Sequence, residues 1–375
     1  MIWRKAEGCR VTLDDGRVLL DLTAGFGVAA LGHRNPRILE AWRSQEVVHA
    51  LGDLAEAEVT VRLRRALPRP AKLGVTGEDA VEIALRTALL ATGRPGIVAF
   101  DGAYHGTGLL ALAATGFERF RAPFAPWLPG PVYRFPYGED PGPLPADAGG
   151  VIVEPVQGRA GSLVPPPESL AQLRRRCDEA GALLVVDAIY AGLGRTGELW
   201  PGDDVADVLC VGKALGGGLP LSAALFYRDG LEEVWDLGPE DVYTHTHAGS
   251  PLACAAALVV LDEVPRLLER VAAAGDRFEA EGWHGRGLLR AREGSADDAL
   301  DRGVLVVPAG LEGSLIQATP PLTITDDELD EAFSLLCSSS AVARRAGTST
   351  APGGASSHRD IPRAPGSRAR RGRAR

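Results

Sequence analysis

Two short runs limit what this chain can fold into. Ala182-Leu183-Leu184-Val185-Val186-Asp187 and Asp207-Val208-Leu209-Cys210-Val211-Gly212 are apolar at every interior position. Runs this short, lacking the alternation of a half-exposed strand, read as strands buried on both faces of a parallel sheet. A third run, Gly96-Ile97-Val98-Ala99-Phe100, reads the same way. Open parallel sheets bind ligands in the crevice at the carboxyl ends of their strands. Asp187 and Lys213, each at the end of such a run, are therefore expected at one edge of one sheet.

Lys213 stands out by composition. The chain carries 40 basic residues, and all but Lys5, Lys72 and Lys213 are arginine. Arginine holds its proton too tightly to condense with an aldehyde, whereas a lysine amine can do so. Lys213 in Val-Gly-Lys-Ala-Leu-Gly-Gly-Gly-Leu-Pro is thus a candidate Schiff-base nucleophile, and an exposed loop lysine is the alternative. An amine for the aldehyde and an acid beside the pyridine nitrogen are what pyridoxal phosphate requires.

Other segments are compatible with that cofactor. Thr76-Gly77-Glu78-Asp79 has a capping-box pattern opening the amphipathic run Ala80 to Thr92. Free amides at a helix N-terminus bind phosphate, so Gly77 would allow close approach and Glu78 would act through its amide, although most capping boxes only cap. Tyr104 and His105 follow the Gly96–Phe100 run. Tyr104 suits stacking on a flat ring, with ordinary packing as the alternative, and His105 reads equally as a structural histidine.

Taken together, these residues resemble the class III pyridoxal-phosphate-dependent aminotransferases, of the ornithine, acetylornithine and 4-aminobutyrate transaminase type. The resemblance runs from about Trp3 to Leu336. It rests on Asp21-Leu22-Thr23-Ala24-Gly25-Phe26-Gly27-Val28 with Leu31-Gly32-His33, Tyr104-His105-Gly106, Glu154-Pro155-Val156-Gln157-Gly158 and Asp187 through Gly-Arg195-Thr196-Gly197. It continues in Gly212-Lys213-Ala214-Leu215-Gly216-Gly217-Gly218, Gly249-Ser250-Pro251-Leu252-Ala253-Cys254 and Thr319-Pro320-Pro321-Leu322.

The resemblance implies an α/β chain of PLP-dependent transferase fold type I, with a large domain built on a mainly parallel sheet and a small α+β domain. Residues 1–45 and 253–336 would form the small domain, 46–252 the cofactor domain, and 337–375 a disordered Arg-rich tail. It implies that Lys213 bonds covalently to the cofactor, Asp187 pairs with its pyridine nitrogen, Tyr104 and Ile189 sandwich the ring, and Gly77 and Glu78 hold the phosphate. His105 joins the cofactor-binding positions. Tyr190 falls near the cofactor's phenolic oxygen, where the family often has glutamine. Thr246 matches the threonine that reaches the neighbouring subunit's phosphate, so the active sites of a homodimer would be shared. The implied reaction is transamination in two half-reactions between a small-molecule amino donor and an oxo-acid acceptor. An aminomutase, epimerase or decarboxylase of the same fold, or a truncated non-catalytic relative, is the alternative.

Three departures stand out. Ala188 replaces the usual acid after Asp187. Gln317 stands where the family commonly grips the substrate carboxylate with arginine, and Arg159 where several members pair that arginine with glutamate. The two charge changes read either as a swap of the carboxylate-binding group or as drift. Arg159, Gln317 and Phe26 are the expected substrate-facing residues.

The remaining composition agrees. With 375 residues and 45% apolar content, the chain can bury one large core and a smaller one. Nothing at the start resembles a signal core, and the longest uncharged run, Ala248 to Leu261, is too short to span a bilayer. Five scattered cysteines without metal spacing favour a reducing cytoplasm. Neither nucleic acid nor membrane is an expected partner. From Cys337 onward the sequence turns to Ser, Ala, Gly, Pro and Arg, with nine arginines and one acid, which leaves about −17 on residues 1–336. The tail reads as a segment for an anionic surface or, preferably, as the product of an altered reading frame, since the family usually continues with a helical end to the small domain. The N-terminus reads as short relative to the family.

Overall fold

The computed structural model describes residues 1–52, 54–238 and 242–337. The Arg-rich tail lies outside them. Strands β1 (Trp3–Glu7), β2 (Arg10–Leu13) and β3 (Val18–Asp21) open the chain. The middle supplies β4 (Ala71–Gly74), β5 (Gly96–Phe100), β6 (Val132–Phe135), β7 (Ala148–Val153), β8 (Leu183–Asp187), β9 (Val208–Val211) and β10 (Ser222–Phe226). The last part supplies β11 (His284–Arg286), β12 (Leu289–Glu293), β13 (Val304–Leu305), β14 (Val307–Ala309) and β15 (Leu315–Ala318).

Strands β4 to β10 form one seven-stranded sheet in the order β4-β10-β9-β8-β7-β5-β6. Only β10 runs against its neighbours; the other pairs are parallel. Alternate residues along a strand serve opposite faces. Leu183 and Val185 accordingly join one apolar cluster with the helix Gly77–Thr92, while Leu184 and Val186 join the other, which the helix Ser169–Ala180 helps to cover. The two-sided burial explains why these strands carry no polar interior position.

Two four-stranded sheets flank the large one. In the first, β1, β2 and β3 form an antiparallel run, and β13 adds to β3 in parallel, pairing Leu20 with Val304. The second is antiparallel in the order β11-β12-β15-β14. Further backbone bonds, Thr319 N–H to Leu22 O and Leu322 N–H to Ala30 O at 2.7 Å each, tie the first thirty residues to the last part of the chain. The uncharged run beginning at Ala248 becomes the helix Pro251–Glu263, packed against the helices Pro36–Arg43 and Glu58–Ala66 and against the Lys213 turn. Its apolar residues cover most of its surface, and Pro251, Ala253 to Ala257 with Cys254, and Val260 are buried. The C-terminal helix spans Asp326–Cys337.

A buried acid clamps the start of β9 to its neighbour. Asp207 Oδ2 accepts the Leu184 amide at 2.7 Å and Arg174 Nη1 at 2.8 Å, and Arg228 Nε lies 2.8 Å from Oδ1. Removing the acid leaves the buried Leu184 amide without its side-chain acceptor, while Arg174 keeps Asp178 and Arg228 reaches solvent, so Asp207→Ala is expected to cost about 1–3 kcal/mol. Urea unfolding against the wild type measures that loss.

Candidate active site

The parallel strands deliver their polar residues to one edge. β4 runs into Thr76, the N-cap of the helix Gly77–Thr92. β5 runs into Tyr104 and His105, β7 into Glu154, β8 ends on Asp187, and β9 runs into Lys213. Around these ends lies a cavity of about 420 Å³, lined by Phe26, Thr76, Gly77, Glu78, Tyr104, His105, Gly106, Glu154, Arg159, Asp187, Ile189, Tyr190 and Lys213. That volume suits a small molecule.

The helix end is built as a capping box. Thr76 Oγ1 accepts the Asp79 amide at 3.3 Å, and Asp79 Oδ2 accepts the amides of Thr76 and Val75. The Gly77 and Glu78 amides, the first two of the helix, find no acceptor among the described residues. The Glu78 carboxylate is occupied elsewhere: Oε2 accepts Thr107 N–H and Gly108 N–H at 2.9 and 3.0 Å. Glu78 therefore offers the cavity its backbone, and the positive end of the helix faces the same space. A side chain at Gly77 would stand 3.0 Å from Ile189 Cγ2, so any larger residue would have to push the Ile189 side chain aside by a few tenths of an ångström.

Asp187 is almost fully buried. Its Oδ2 lies 2.8 Å from His105 Nδ1, and its Oδ1 accepts the Ile189 amide at 3.1 Å. The remaining ring nitrogen, His105 Nε2, is buried with no protein partner. Lys213 sits at the cavity with a left-handed backbone (φ 42°). Burial lowers the pKa of its amine, opposed by the charges of Asp187 and Glu154 and assisted by Arg159. A buried amine with a lowered pKa, a fixed carboxylate and unpaired amides at a helix end fit the donor set that pyridoxal phosphate requires.

The other expected residues divide. Tyr104 and Ile189 both line the cavity, and the Arg159 guanidinium covers one face of Tyr104 at 4.6 Å from the ring centroid. Phe26 stands half-exposed at the mouth, its backbone held left-handed at φ 61°. Tyr190 lines the cavity with its ring, but its hydroxyl points away and donates to Gln317 Oε1 at 2.9 Å. Gln317 does not line the cavity; it is buried behind Tyr190, and its amide nitrogen donates to Gly158 O and Ser162 Oγ. Ala188 is buried and binds nothing in the cavity. Thr246 is exposed and lies outside the cavity of its own chain.

Glu154, part of the Glu154-Pro155-Val156-Gln157-Gly158 motif, is a site residue beyond those expected from the sequence. It lines the cavity, accepting the Tyr104 amide at 2.9 Å and the Gly158 amide at 3.2 Å, and so fixes the two loops that carry Tyr104 and Arg159. An acid ending the buried strand β7 was open to the same inference as Asp187 ending β8. Burial pushes its carboxyl up to about 7; the Asp187 charge adds to this, and His105 and the two amides oppose it. A carboxyl whose folded pKa is raised favours folding while it remains protonated. That contribution is lost as pH rises from the ordinary carboxylate value toward about 7. The stability advantage of wild type over Glu154→Gln, measured by urea unfolding, should therefore shrink between pH 5 and 7.5.

The profile of the class-III aminotransferases matches residues 1–281. An acetylornithine aminotransferase of Methanopyrus kandleri is 35% identical over 361 residues, covering 88% of this chain and 92% of that one. A putrescine aminotransferase of Pectobacterium atrosepticum is 33% identical, covering 87% and 79%. Among solved structures, an ornithine aminotransferase of Toxoplasma gondii superposes with a TM-score of 0.81 at 27% identity over 89% of each chain. A PLP-bound amine transaminase from an uncultivated Pseudomonas species gives 0.81 at 26% identity over 90% and 93%. The chain belongs to the class-III aminotransferases, and it is a transaminase whose cofactor is pyridoxal 5'-phosphate.

Proposed function

We propose that this enzyme takes a carboxylate-bearing amine as donor and an oxo acid as acceptor, with Lys213 as the catalytic amine and Arg159 as the group that holds the substrate carboxylate. The observation that carries this reading is an arginine in the same cavity as Lys213 with no carboxylate partner among the described residues. An unpaired guanidinium beside an apolar wall is a strong, bidentate site for a carboxylate. Its stacking on Tyr104 and Phe120, at 4.6 and 5.4 Å, fixes its direction without using its hydrogen-bond donors.

Bound pyridoxal phosphate supplies an aldehyde for the amine and a ring into which the electrons of a broken C–H bond spread. The protein supplies the rest. The Gly77 and Glu78 amides would hold its phosphate, Tyr104 and Ile189 would flank its ring, and Asp187, fixed by His105, would pair with its ring nitrogen. Lys213 Nζ moves the proton, and the burial that lowers its pKa leaves more of the neutral amine near neutral pH. Phe26 closes the mouth. The role expected for Gln317 changes: with its amide spent on Tyr190 and Gly158, it supports the site from behind.

The active form in this reading is a homodimer in which Thr246 reaches the partner's phosphate. Support comes from the exposed Thr246 and from Val48, Leu51 and Leu54, which are 77, 72 and 86% exposed beside a second cavity of about 380 Å³ between residues 49–73 and 243–249. Apolar residues left in water in this number favour a covered surface. The division into a 46–252 cofactor lobe and a lobe from 1–45 and 253–336 draws support from sheet membership, since β13 joins β3. Five free cysteines suit the cytoplasm, and among the described residues no helix is long and apolar enough to cross a membrane.

Two measurements test the proposal. Arg159→Ala should raise KM for a carboxylate-bearing amine about ten- to a hundredfold and leave a plain alkylamine little changed; an equal effect on both would return Arg159 to a structural role. Mixing Thr246→Ala with Lys213→Ala should restore one competent site per heterodimer, and verified heterodimers without activity would confine Thr246 to its own chain.

A further inference from the structure

We propose that Tyr190, held in place by Gln317, is a positioning residue for Lys213, its ring face being the seat of the lysine ammonium whenever that amine is not bonded to the cofactor. The proposal rests on the catalytic reading of Lys213 and adds to it a place for the amine between its bonded states.

The geometry starts with Lys213 Nζ, 4.2 Å from the centroid of the Tyr190 ring. A cation over an aromatic face is attracted by the ring quadrupole, more strongly where water is excluded. Tyr190 is only 8% exposed. Its ring is fixed at both edges. The hydroxyl donates to Gln317 Oε1 at 2.9 Å and lies 3.5 Å from Thr319 Oγ1, which itself donates to Thr23 O at 2.9 Å. Gln317 cannot turn away, because its amide nitrogen donates to Gly158 O at 2.6 Å and Ser162 Oγ at 2.9 Å. On the other edge, a side chain at position 158 would stand 2.3 Å from Tyr190 Cδ1, so the ring lies against bare backbone there. Tyr190, Gln317, Gly158, Ser162 and Thr319 thus form one closed network whose exposed product is a single aromatic face beneath Lys213.

The charges around the amine leave room for such a contribution. Asp187 at the end of β8 and Glu154 after β7 favour the ammonium, and burial and Arg159 disfavour it. The ring adds an uncharged attraction that requires no further buried ion. When Lys213 Nζ takes a proton from the substrate carbon, the C–H bond breaks, an N–H bond forms and the electron pair left behind is the one that the bound cofactor's ring accommodates. The resulting ammonium has its seat on Tyr190 until it returns the proton.

The chain has only three lysines, which makes the test direct. In the full chain freed of cofactor and labelled with lysine ¹³Cε, the Lys213 resonance is assigned by its loss in Lys213→Arg. It should appear shifted upfield by the Tyr190 ring. In Tyr190→Leu that shift should vanish, and the titration midpoint should fall by about half to one and a half pH units. Tyr190→Phe keeps the ring and should keep the midpoint. Gln317→Leu and Tyr190→Phe should lower kcat by similar factors without adding in combination, since each cuts the same strut. A Lys213 resonance without ring shift in the wild type, or an unchanged midpoint in Tyr190→Leu, overturns the proposal, and the wild-type shift alone decides it if Tyr190→Leu does not fold. Loss of the catalytic reading would look different: Lys213→Ala would retain transamination whatever the titration shows.

Discussion

The site depends on the burial of the central sheet on both faces. With clusters packed above and below β5, β7, β8 and β9, a polar side chain has no place along the strands and is admitted only where a strand ends. The carboxyl ends of the parallel strands lie at one edge, so Asp187, Glu154 and Lys213 meet there as a consequence of how the core excludes them. The low dielectric that follows from the same packing raises the Glu154 carboxyl and lowers the Lys213 amine. Core and chemistry have one cause.

What was legible in the sequence was local. Asp187 and Lys213 could be read because each terminates a run whose period and length identify it as a buried strand. The Thr76 to Asp79 box could be read because a cap is written within four residues, and the structure forms it with both reciprocal bonds. Glu154 carries the same local signal, since it directly follows the buried strand β7. By contrast, Tyr190 and Gln317 are 127 positions apart, and neither residue type carries a pattern that announces the other. Placing Gln317 by motif gave it a substrate-facing role, whereas the fold sets it behind Tyr190 with its amide fully used. Side-chain direction within a loop is decided by packing against distant segments, and a single sequence does not encode that in any local period. The same holds for Arg159, whose stacking on Tyr104 depends on two loops that Glu154 pins together.

The balance of charge inside the cavity differs from that of the body around it. Residues 1–336 carry a large negative excess, yet within the cavity the acids are committed, Asp187 to His105 and Ile189 and Glu154 to two amides, while Arg159 has no carboxylate partner among the described residues. An anion that reaches the cavity meets uncommitted donors: the guanidinium and the amides at the helix end. Those donors act at short range, whereas salt screens the long-range field of the acidic exterior within about 10 Å.

The pairing of β3 with β13 bears on how the polypeptide acquires its shape as it is made. Leu20 bonds to a strand that begins at Val304, so when the first residues leave the ribosome their neighbour has not yet been translated. The seven-stranded sheet, drawn wholly from residues 71–226, can assemble in that interval. The opening hairpins must wait beside it with one edge unpaired, which is the kind of exposed strand that invites pairing with another nascent chain. The order of synthesis therefore sets the order of assembly, because the open edge of β3 is closed only once residues 304–305 have been made.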